Sequence, residues 1–358
     1  MRALPHAILA ATTLALAACG GPKAPAPVIT LGPGADSVST TFSEVTAGAW
    51  LGDQRWAVVA PADERAAIAD LAAHSLRPLG GGAKELRNPS GLFRAGDTLY
   101  LADWGLRRTS LWTLDGHFVR GVPAADLVRG VLPRARDGSG RFYLDIVPRV
   151  TADGQGNRDS ASVVRTDAGF QRLDTLARLA PLDIAEVEDD AGRRFERRVF
   201  SGSDQWGALP DGSLWVARVY GNRVDWRDTA GRWTRGEPLP DRVLEVTRYD
   251  RELFLRRFPP ELRNTAQQLP FAPVKPPFEA GLTSPSGEVW LEKSRAPIDS
   301  SRHYHVVDRG GQLEREIHVP GSGRIIAVGP DAVLVAEPAR DGVRLLRFPV
   351  PAHVPLAP

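Results

Sequence analysis

One stretch, residues 89–122, most constrains what this chain can fold into. Its sequence, PSGLFRAGDTLYLADWGLRRTSLWTLDGHFVRGV, contains four short apolar runs separated by turn residues. One of these turns is Asp115-Gly116, a dipeptide that favours a tight hairpin because both positions accept positive φ. The second run, residues 99–102, is apolar at every position, as expected for a strand whose sheet is covered on both faces. The stretch therefore predicts a four-stranded antiparallel sheet that needs other sheets packed against it.

The same unit recurs along the chain. An apolar second strand follows a Gly or Asp turn six times, at a spacing of about 43 residues where nothing intervenes. Units of this length with four strands are typical of propeller blades. The sequence thus predicts an all-β fold, a six-bladed β-propeller of four-stranded antiparallel blades. Four units carry an aromatic ring at the second position of this strand, where we expect packing between sheets; the rings are Tyr100, Tyr143, Trp215 and Trp290.

The two ends of the repeat array and two insertions complete the predicted architecture. The last unit, residues 324–350, lacks a fourth strand, and we expect the strand-like residues 37–42 to supply it and close the ring. Residues 177–205 predict an extra hairpin or a long loop. Residues 241–277 predict a helical and Pro-rich insertion, with Asp241 as the helix N-cap, that covers a blade edge or one mouth of the ring.

The N-terminus predicts export. Residues 1–18 have a basic start and an apolar segment too short to span a bilayer, a pattern typical of a signal peptide. Residues 16–19, LAAC, resemble the lipobox of bacterial lipoproteins. The resemblance implies that Cys19, the only cysteine in the chain, is lipidated and becomes the new N-terminus. The alternative is an ordinary secretory signal with an incidental cysteine.

The remaining boundaries follow from this interpretation. Residues 19–35 are predicted to hold the lipidated cysteine and a flexible tether rich in Gly, Pro and Ala, residues 36–350 the propeller, and residues 351–358 a C-terminal tail. Gly20 rather than Asp after the cysteine implies, by the same resemblance, anchoring in the outer membrane facing the periplasm. The net charge of +2 without a clustered basic run argues against nucleic acid as a partner.

Two short motifs give a family resemblance. Residues 101–108, LADWGLRR, resemble the Ala-Asp, Gly and Arg signature of NHL repeats, and residues 220–224, YGNRV, resemble its Asn-Arg part. The chain also resembles bacterial six-bladed propeller lipoproteins of the NHL and TolB-like kind, including a helical insertion before Pro276-Pro277-Phe278. The resemblance implies the fold over most of residues 36–350, while the other blades keep the apolar strand and lose the signature.

Alignment of the six units suggests one candidate site. Ring closure brings equivalent positions to one face, so charged residues at the end of the second strand are expected to share that face near the central funnel. A mixture of both charge signs there suits a polar, zwitterionic or peptide ligand, and the alternative is a ring of inter-blade salt bridges. The candidate ligand-binding ring consists of Asp103, Asp145, Arg218, Glu292, Lys293 and Glu337.

The sequence supports a metal-binding site less strongly than it supports the charged ring. His303 and His305 alternate on a predicted strand, which allows either a two-His metal site or a solvated strand. Polar residues alternate in the loop at residues 153–159 and offer oxygens to calcium, but Val164 stands where a bidentate glutamate is expected. No metal or cofactor is therefore expected, with calcium as the alternative.

Three functions remain open at this stage. The leading hypothesis is a membrane-anchored lipoprotein that binds a protein, peptide or glycan partner, with no catalytic residues and no catalysis expected. The chain has no G-x-S-x-G elbow, H-E-x-x-H motif or Walker A loop. The second hypothesis is a calcium-dependent hydrolase of the lactonase or gluconolactonase kind. The third is a structural scaffold of an envelope complex.

Overall fold

The structure, a computed structural model, describes residues 25–34, 36–80, 86–147, 160–189 and 192–350. Within these ranges, six sheets of four or five strands form the predicted six-bladed β-propeller. In chain order the strands are β1 (Val28–Thr30), β2 (Asp36–Thr40), β3 (Ala47–Gly52), β4 (Arg55–Ala60), β5 (Arg65–Asp70), β6 (Ser75–Pro78), β7 (Pro89–Ala95), β8 (Thr98–Asp103), β9 (Arg108–Thr113), β10 (Phe118–Pro123), β11 (Ala135–Arg136), β12 (Phe142–Ile146), β13 (Ser162–Thr166), β14 (Leu173–Arg178), β15 (Ile184–Asp189), β16 (Gly192–Arg197), β17 (Gln205–Ala208), β18 (Leu214–Arg218), β19 (Arg223–Arg227), β20 (Trp233–Thr234), β21 (Phe278–Thr283), β22 (Val289–Lys293), β23 (Arg302–Val307), β24 (Leu313–Val319), β25 (Arg324–Val328), β26 (Ala332–Ala339) and β27 (Gly342–Pro349).

Each blade is an antiparallel meander that runs outward from the axis. The first strands β3, β7, β11, β17, β21 and β25 lie innermost, and neighbouring members of this set contact one another around the ring. We number the blades 1 to 6 in that order. Because successive strands are antiparallel, every first strand begins and every second strand ends on the same side of the ring, which we call the upper face.

The ring closes with an N-terminal strand, as predicted. Strand β2 pairs with β27 from Asp36 opposite Arg347 to Thr40 opposite Val343, and so supplies the fourth strand of blade 6. Strand β1 was not expected. It pairs in parallel with β24 as a fifth strand of blade 5, with Val28 opposite Glu316. The predicted flexible tether over residues 19–35 is therefore wrong for β1, because the open edge of β24 offers backbone partners to it.

The blades are held together by apolar side chains between sheets. The four aromatic rings predicted to pack there are all buried, and Trp215 and Trp290 are among the largest side chains with almost no exposure. The second strands are largely buried, as in β18, where the four residues before Arg218 are almost inaccessible. This confirms that the second strand is covered on both faces.

The two insertions have different structures. The first is a two-stranded hairpin of β15 and β16, one of the two predicted alternatives. The second contains helices α1 (Arg248–Leu255) and α2 (Arg263–Gln267). Asp241 does not cap α1. Thr247 does, because its hydroxyl accepts the Asp250 N–H while the Asp250 carboxylate accepts the Thr247 N–H, a reciprocal capping box.

This second insertion is attached to the upper face. Its start is tied to blade 5 by an ion pair between Asp241 and Lys293, and its end by a hydrogen bond from Lys275 to the carbonyl of Arg295. Within the described ranges, the chain has no helix of the length and apolar character needed to cross a bilayer. Residues 1–24, with Cys19, and residues 351–358 lie outside the described residues, as do residues 148–159.

Candidate site on the upper face

The six predicted ring residues lie at or near the upper ends of the second strands. Among the described residues, no hydrogen bond or ion pair joins two members of the set; each is held by other partners. Asp103, Arg218 and Lys293 end β8, β18 and β22, while Asp145, Glu292 and Glu337 lie one or two residues before the end of β12, β22 and β26. The shared height follows from the repeat, and the partners differ from blade to blade.

Asp103 is a buried structural carboxylate. It is fully inaccessible, and its two oxygens accept the backbone N–H groups of Arg87, Asn88 and Leu106 at 3.0–3.1 Å. These bonds join the segment entering blade 2 to the turn leaving β8. Since both oxygens are used inside the blade, Asp103 is not available to a ligand.

Three other ring members form local ion pairs. Asp145 lies 3.3 Å from Arg134, and Glu337 pairs with Arg344 on the neighbouring strand. Arg218 bridges two carboxylates, at 2.9 Å from Asp204 and 3.2 Å from Asp225. All of these ion pairs lie within a single blade, whereas the alternative stated above expected salt bridges between blades.

Glu292 is different because its partners join two blades. The carboxylate is almost completely buried and pairs with Arg302 in its own blade and with Arg324, the first residue of β25 in blade 6. The Arg324 Nε lies 2.7 Å from Glu292 Oε2. Next to this pair, the backbone N–H of Ile325 donates to the Tyr304 hydroxyl at 2.9 Å. Polar groups of blade 5 therefore hold the inner strand of blade 6.

Glu279 and Arg324 lie at the inner rim beside this cluster. Glu279 is the second residue of β21 and is exposed, while the Arg324 side chain is 38% exposed although its Nε is engaged by Glu292. The surrounding protein desolvates Glu279 and the negative charge of Glu292 acts on it, and together these raise the pKa of the Glu279 carboxyl. The rim therefore presents a carboxyl group and a guanidinium that influence each other electrostatically.

A pocket opens at this point between blades 5 and 6. It is open to solvent and reaches across to Thr46 of blade 1. Glu292 and Arg324 form its charged wall, and Trp290 and Tyr304 belong to its apolar wall. Such a mixture of apolar surface and a few fixed charges suits a small polar group that enters from the mouth.

Lys293 belongs to a second charged cluster, in the outer half of blade 5. Its Nζ lies 3.1 Å from Asp241 Oδ1 and 3.0 Å from Glu316 Oε2. His305 is buried between the same two carboxylates, with its nitrogens 3.4 Å and 3.3 Å from them. Hydrogen bonds from His305, His318 and Lys293 hold the pKa of Glu316 well below its usual range. Asp241, predicted to cap a helix, instead closes this cluster.

The sequence-based interpretation of the histidines needs correction. His305 is buried, so it does not belong to a solvated strand, and it does not share a metal-ligating cluster with His303. Among the described residues, the cluster with such geometry is His303, Glu316 and His318. The carboxylate that the local sequence lacked comes from β24, which pairs with β23.

Calcium was the alternative expected at the channel mouth. That ion needs several carboxylate or carbonyl oxygens without cations beside them. At the described rim, both oxygens of Glu292 are taken by arginines, and Arg324 also lies close enough to influence Glu279. These residues do not fit a calcium ion. The other calcium candidate, the loop at residues 153–159, lies outside the described residues.

Sequence reasoning missed Glu279 and Arg324. Both lie within the first two residues of an innermost strand, which begins at the upper mouth. The signal was available, since aligning first strands as well as second strands would have placed them at the mouth. Glu316 and His318 had no such signal, because their role depends on which strand pairs with β23.

The fold and this face define a six-bladed β-propeller with a charged upper mouth. No protein-family model matches the chain, and no curated protein matches it. Similar solved structures include a Bacteroides fragilis protein thought to be exported, with a TM-score of 0.50 and 10% identity over 90% of this chain and 98% of that one.

Two further neighbours have recorded activities or ligands of their own. The Agrobacterium tumefaciens calcium-binding protein regucalcin has a TM-score of 0.45 and 11% identity, and covers 91% of this chain and 98% of its own length. A Xanthomonas campestris gluconolactonase has a TM-score of 0.44 and 14% identity, and covers 92% and 99% respectively. At such identities the similarity says nothing about function.

Proposed function

We propose that this protein is an exported, lipid-anchored binding protein whose upper face takes a peptide or a protein segment. The observation that carries the proposal is that two oppositely charged side chains, Glu279 and Arg324, have exposed surface at the inner rim beside a buried carboxylate that two arginines already neutralise. A ligand with a basic group stabilises the desolvated Glu279, and an acidic group of the same ligand is complementary to Arg324. A peptide supplies both groups on one chain.

The loops around the mouth support a macromolecular partner. Three loops that join second and third strands on the upper face each expose a large apolar side chain, in blades 2, 4 and 5. These are Trp104, 46% exposed, Tyr220, 71% exposed, and Ile298, 84% exposed. Aromatic and arginine side chains are the residue types enriched in protein interfaces. These exposed side chains stand on the same face of the ring as the charged mouth.

Two tryptophans with similar exposure, one on each face of the ring, allow a controlled test of the upper face. Trp233 begins β20 on the lower face and is 42% exposed, close to the exposure of Trp104. Peptides selected from a random library on the immobilised protein are titrated calorimetrically into wild type, Glu279→Gln, Trp104→Ser and Trp233→Ser. We expect Glu279→Gln and Trp104→Ser each to weaken peptide binding by roughly tenfold, as truncation of an interface side chain commonly does. Trp233→Ser is expected to bind peptide like wild type.

The same titration separates the alternatives. Equal weakening by Trp233→Ser, or peptides that bind every variant like wild type, would show that the upper mouth is not the site. A glycan array on the same variants tests the carbohydrate option. Saturable calcium binding that Glu279→Gln abolishes would instead favour the calcium-dependent hydrolase, and retention in a large envelope complex without peptide binding would favour the scaffold.

The anchor is a separate part of the proposal and has its own test. Cys19 within the LAAC sequence supports lipidation, and the apolar residues before it support export. Cys19→Ser is expected to move the protein from the membrane fraction to the soluble fraction in high salt. If the variant still sediments with membranes, the lipid-anchor part fails while the binding part stands.

A further inference from the structure

A polar patch crosses two strands in the outer half of blade 5. His303 on β23 lies directly opposite His318 on β24, and His305 lies opposite Glu316. Side chains alternate along a strand, so Tyr304 and Ile317 between them point to the other face and are buried in the core. The fold thus gathers three imidazoles and one carboxylate on a single face.

The two oxygens of Glu316 have separate surroundings. Oε2 faces Lys293 at 3.0 Å and His305 at 3.3 Å. Oε1 faces His318 Nε2 at 2.7 Å and His303 Nδ1 at 3.5 Å. One oxygen is therefore engaged by the buried cluster, while the other is directed at two imidazole nitrogens.

The two imidazoles are oriented and reachable. His303 Nε2 lies 3.1 Å from the Ser301 hydroxyl; when Nε2 donates that hydrogen bond, Nδ1 keeps its lone pair toward Glu316. The His303 and His318 rings stack with centroids 3.7 Å apart and planes 5° from parallel. Their side chains are 37% and 28% exposed, so solvent and ions reach both.

We propose that His303, Glu316 and His318 bind a divalent transition-metal ion such as zinc. One ligand atom from each residue lies within 4.8 Å of the others. Zinc bonds of about 2.0–2.1 Å in a tetrahedral site require ligand atoms about 3.4 Å apart, so the half-exposed rings rotate out of their stack to close the remaining distance. A water molecule takes the fourth position.

The donor set selects the class of metal. Two imidazoles and one carboxylate suit zinc, copper or nickel, whereas calcium prefers oxygen ligands only. Ser301 supplies the outer hydrogen bond that commonly fixes a metal-bound imidazole. The site is independent of the proposed peptide site, since it lies on β23 and β24 and not at the inner rim.

The metal has a structural consequence at the edge of the blade. Strand β1 pairs with the backbone of this same part of β24, and the Glu316 N–H donates to the Pro27 carbonyl at 2.9 Å. Joining β23 to β24 through a metal therefore fixes the edge on which the N-terminal segment lies. A ligand that binds only the folded state raises the melting temperature by mass action.

Calorimetry with zinc chloride on the untagged protein, in buffer free of chelators, tests the proposal. We expect one saturable site in wild type and a loss of affinity of roughly tenfold or more in His318→Ala, at least as large as the loss caused by removing an outer-shell partner. His117 is exposed and lies on the strand-linking turn of blade 2, so His117→Ala is the matched control and is expected to bind like wild type. Calcium chloride is expected to give no heat at this site.

A second measurement, on a different variant, keeps the test valid if His318→Ala folds poorly. Cobalt(II) added to wild type is expected to give the visible absorption of a tetrahedral ion, and His303→Ala, whose residue is the most exposed of the three ligands, is expected to lose it. Unchanged melting temperatures without metal show that both variants are folded. Zinc binding equal to wild type in His318→Ala and His303→Ala, or no saturable binding by wild type, would overturn the proposal.

Discussion

Blades 2 and 5 place charged residues at the same position of the repeat and use them in opposite ways. In blade 2, Asp103 turns inward and its oxygens accept three backbone N–H groups of its own blade. In blade 5, Glu292 reaches Arg324 of blade 6, and Lys293 reaches Asp241 of the insertion. The charge in blade 2 is therefore satisfied within its own blade, whereas the two charges in blade 5 form ion pairs with blade 6 and with the helical insertion.

The difference shows what a repeat position determines. It determines the height and the face of a residue, because the strands of every blade follow one another in the same order and directions. It does not determine partners, since those depend on the loops and neighbours that each blade happens to have. Blade 5 is flanked by the helical insertion and by β1; the candidate metal site lies in this blade, and the charged mouth lies between it and blade 6.

The largest effect is expected from breaking the link between blades. Glu292→Ala leaves Arg302 and Arg324 without their buried acceptor, and we expect a loss of about 2–4 kcal/mol in the free energy of unfolding. Urea denaturation followed by tryptophan fluorescence measures it. Glu292→Gln, which keeps the shape and an acceptor oxygen, should lose less. Equal stability of Glu292→Ala and wild type would remove the proposed link between blades 5 and 6.

A smaller loss is expected from the closed turn of blade 2. Asp103→Ala leaves three backbone N–H groups without their acceptor. Because Arg87 and Asn88 are exposed, water replaces the acceptor there, and we expect a total loss of about 1–3 kcal/mol, the cost of roughly one unsatisfied buried group, by the same urea measurement. Peptide binding at the upper mouth should be unchanged. If binding is lost at unchanged stability, Asp103 contacts ligand and the contrast with blade 5 fails.

Glu279→Gln is expected to stabilise the protein, in a pH-dependent way. Because the pKa of Glu279 is raised above its ordinary value near 4.5, folding favours the protonated form, and the ionised carboxylate destabilises the fold at neutral pH. Glutamine imitates the protonated form. We expect a melting temperature higher by about one or two degrees at pH 7–8, with the gain fading as the pH falls toward 4.5. A gain that is the same at every pH would have another cause.

The smallest effect is expected in blade 6. Glu337 occupies the same part of the repeat but pairs with Arg344 at the surface, where the arginine side chain is 49% exposed. Exposed ion pairs contribute little, so Glu337→Ala should change the free energy of unfolding by less than about 1 kcal/mol. A loss as large as that of Glu292→Ala would mean that burial is not what distinguishes the two positions.

Much of the fold could be predicted from short patterns. The six second strands, their aromatic positions and the closing strand β2 all follow from local apolar runs and turns, which depend on residues close together in the chain. A propeller fold can be predicted from such local patterns because each blade contacts mainly the blade that follows it in the sequence. The capping of α1 was also encoded locally, in the reciprocal bonds of Thr247 and Asp250, but the helix begins six residues later than the start predicted from Asp241.

The sequence by itself determined the number of blades, the face on which the second strands end and therefore the height of Asp103, Glu292 and Glu337. Only the tertiary structure decided which of these charges is buried, which pairs across blades, and that His303 meets Glu316 and His318. The physical reason is that strand periodicity fixes which face a side chain takes, whereas an ion pair or a metal site depends on distances of a few ångströms between segments far apart in the chain. Those distances are set by strand register and by the path of the insertion, which no local pattern contains.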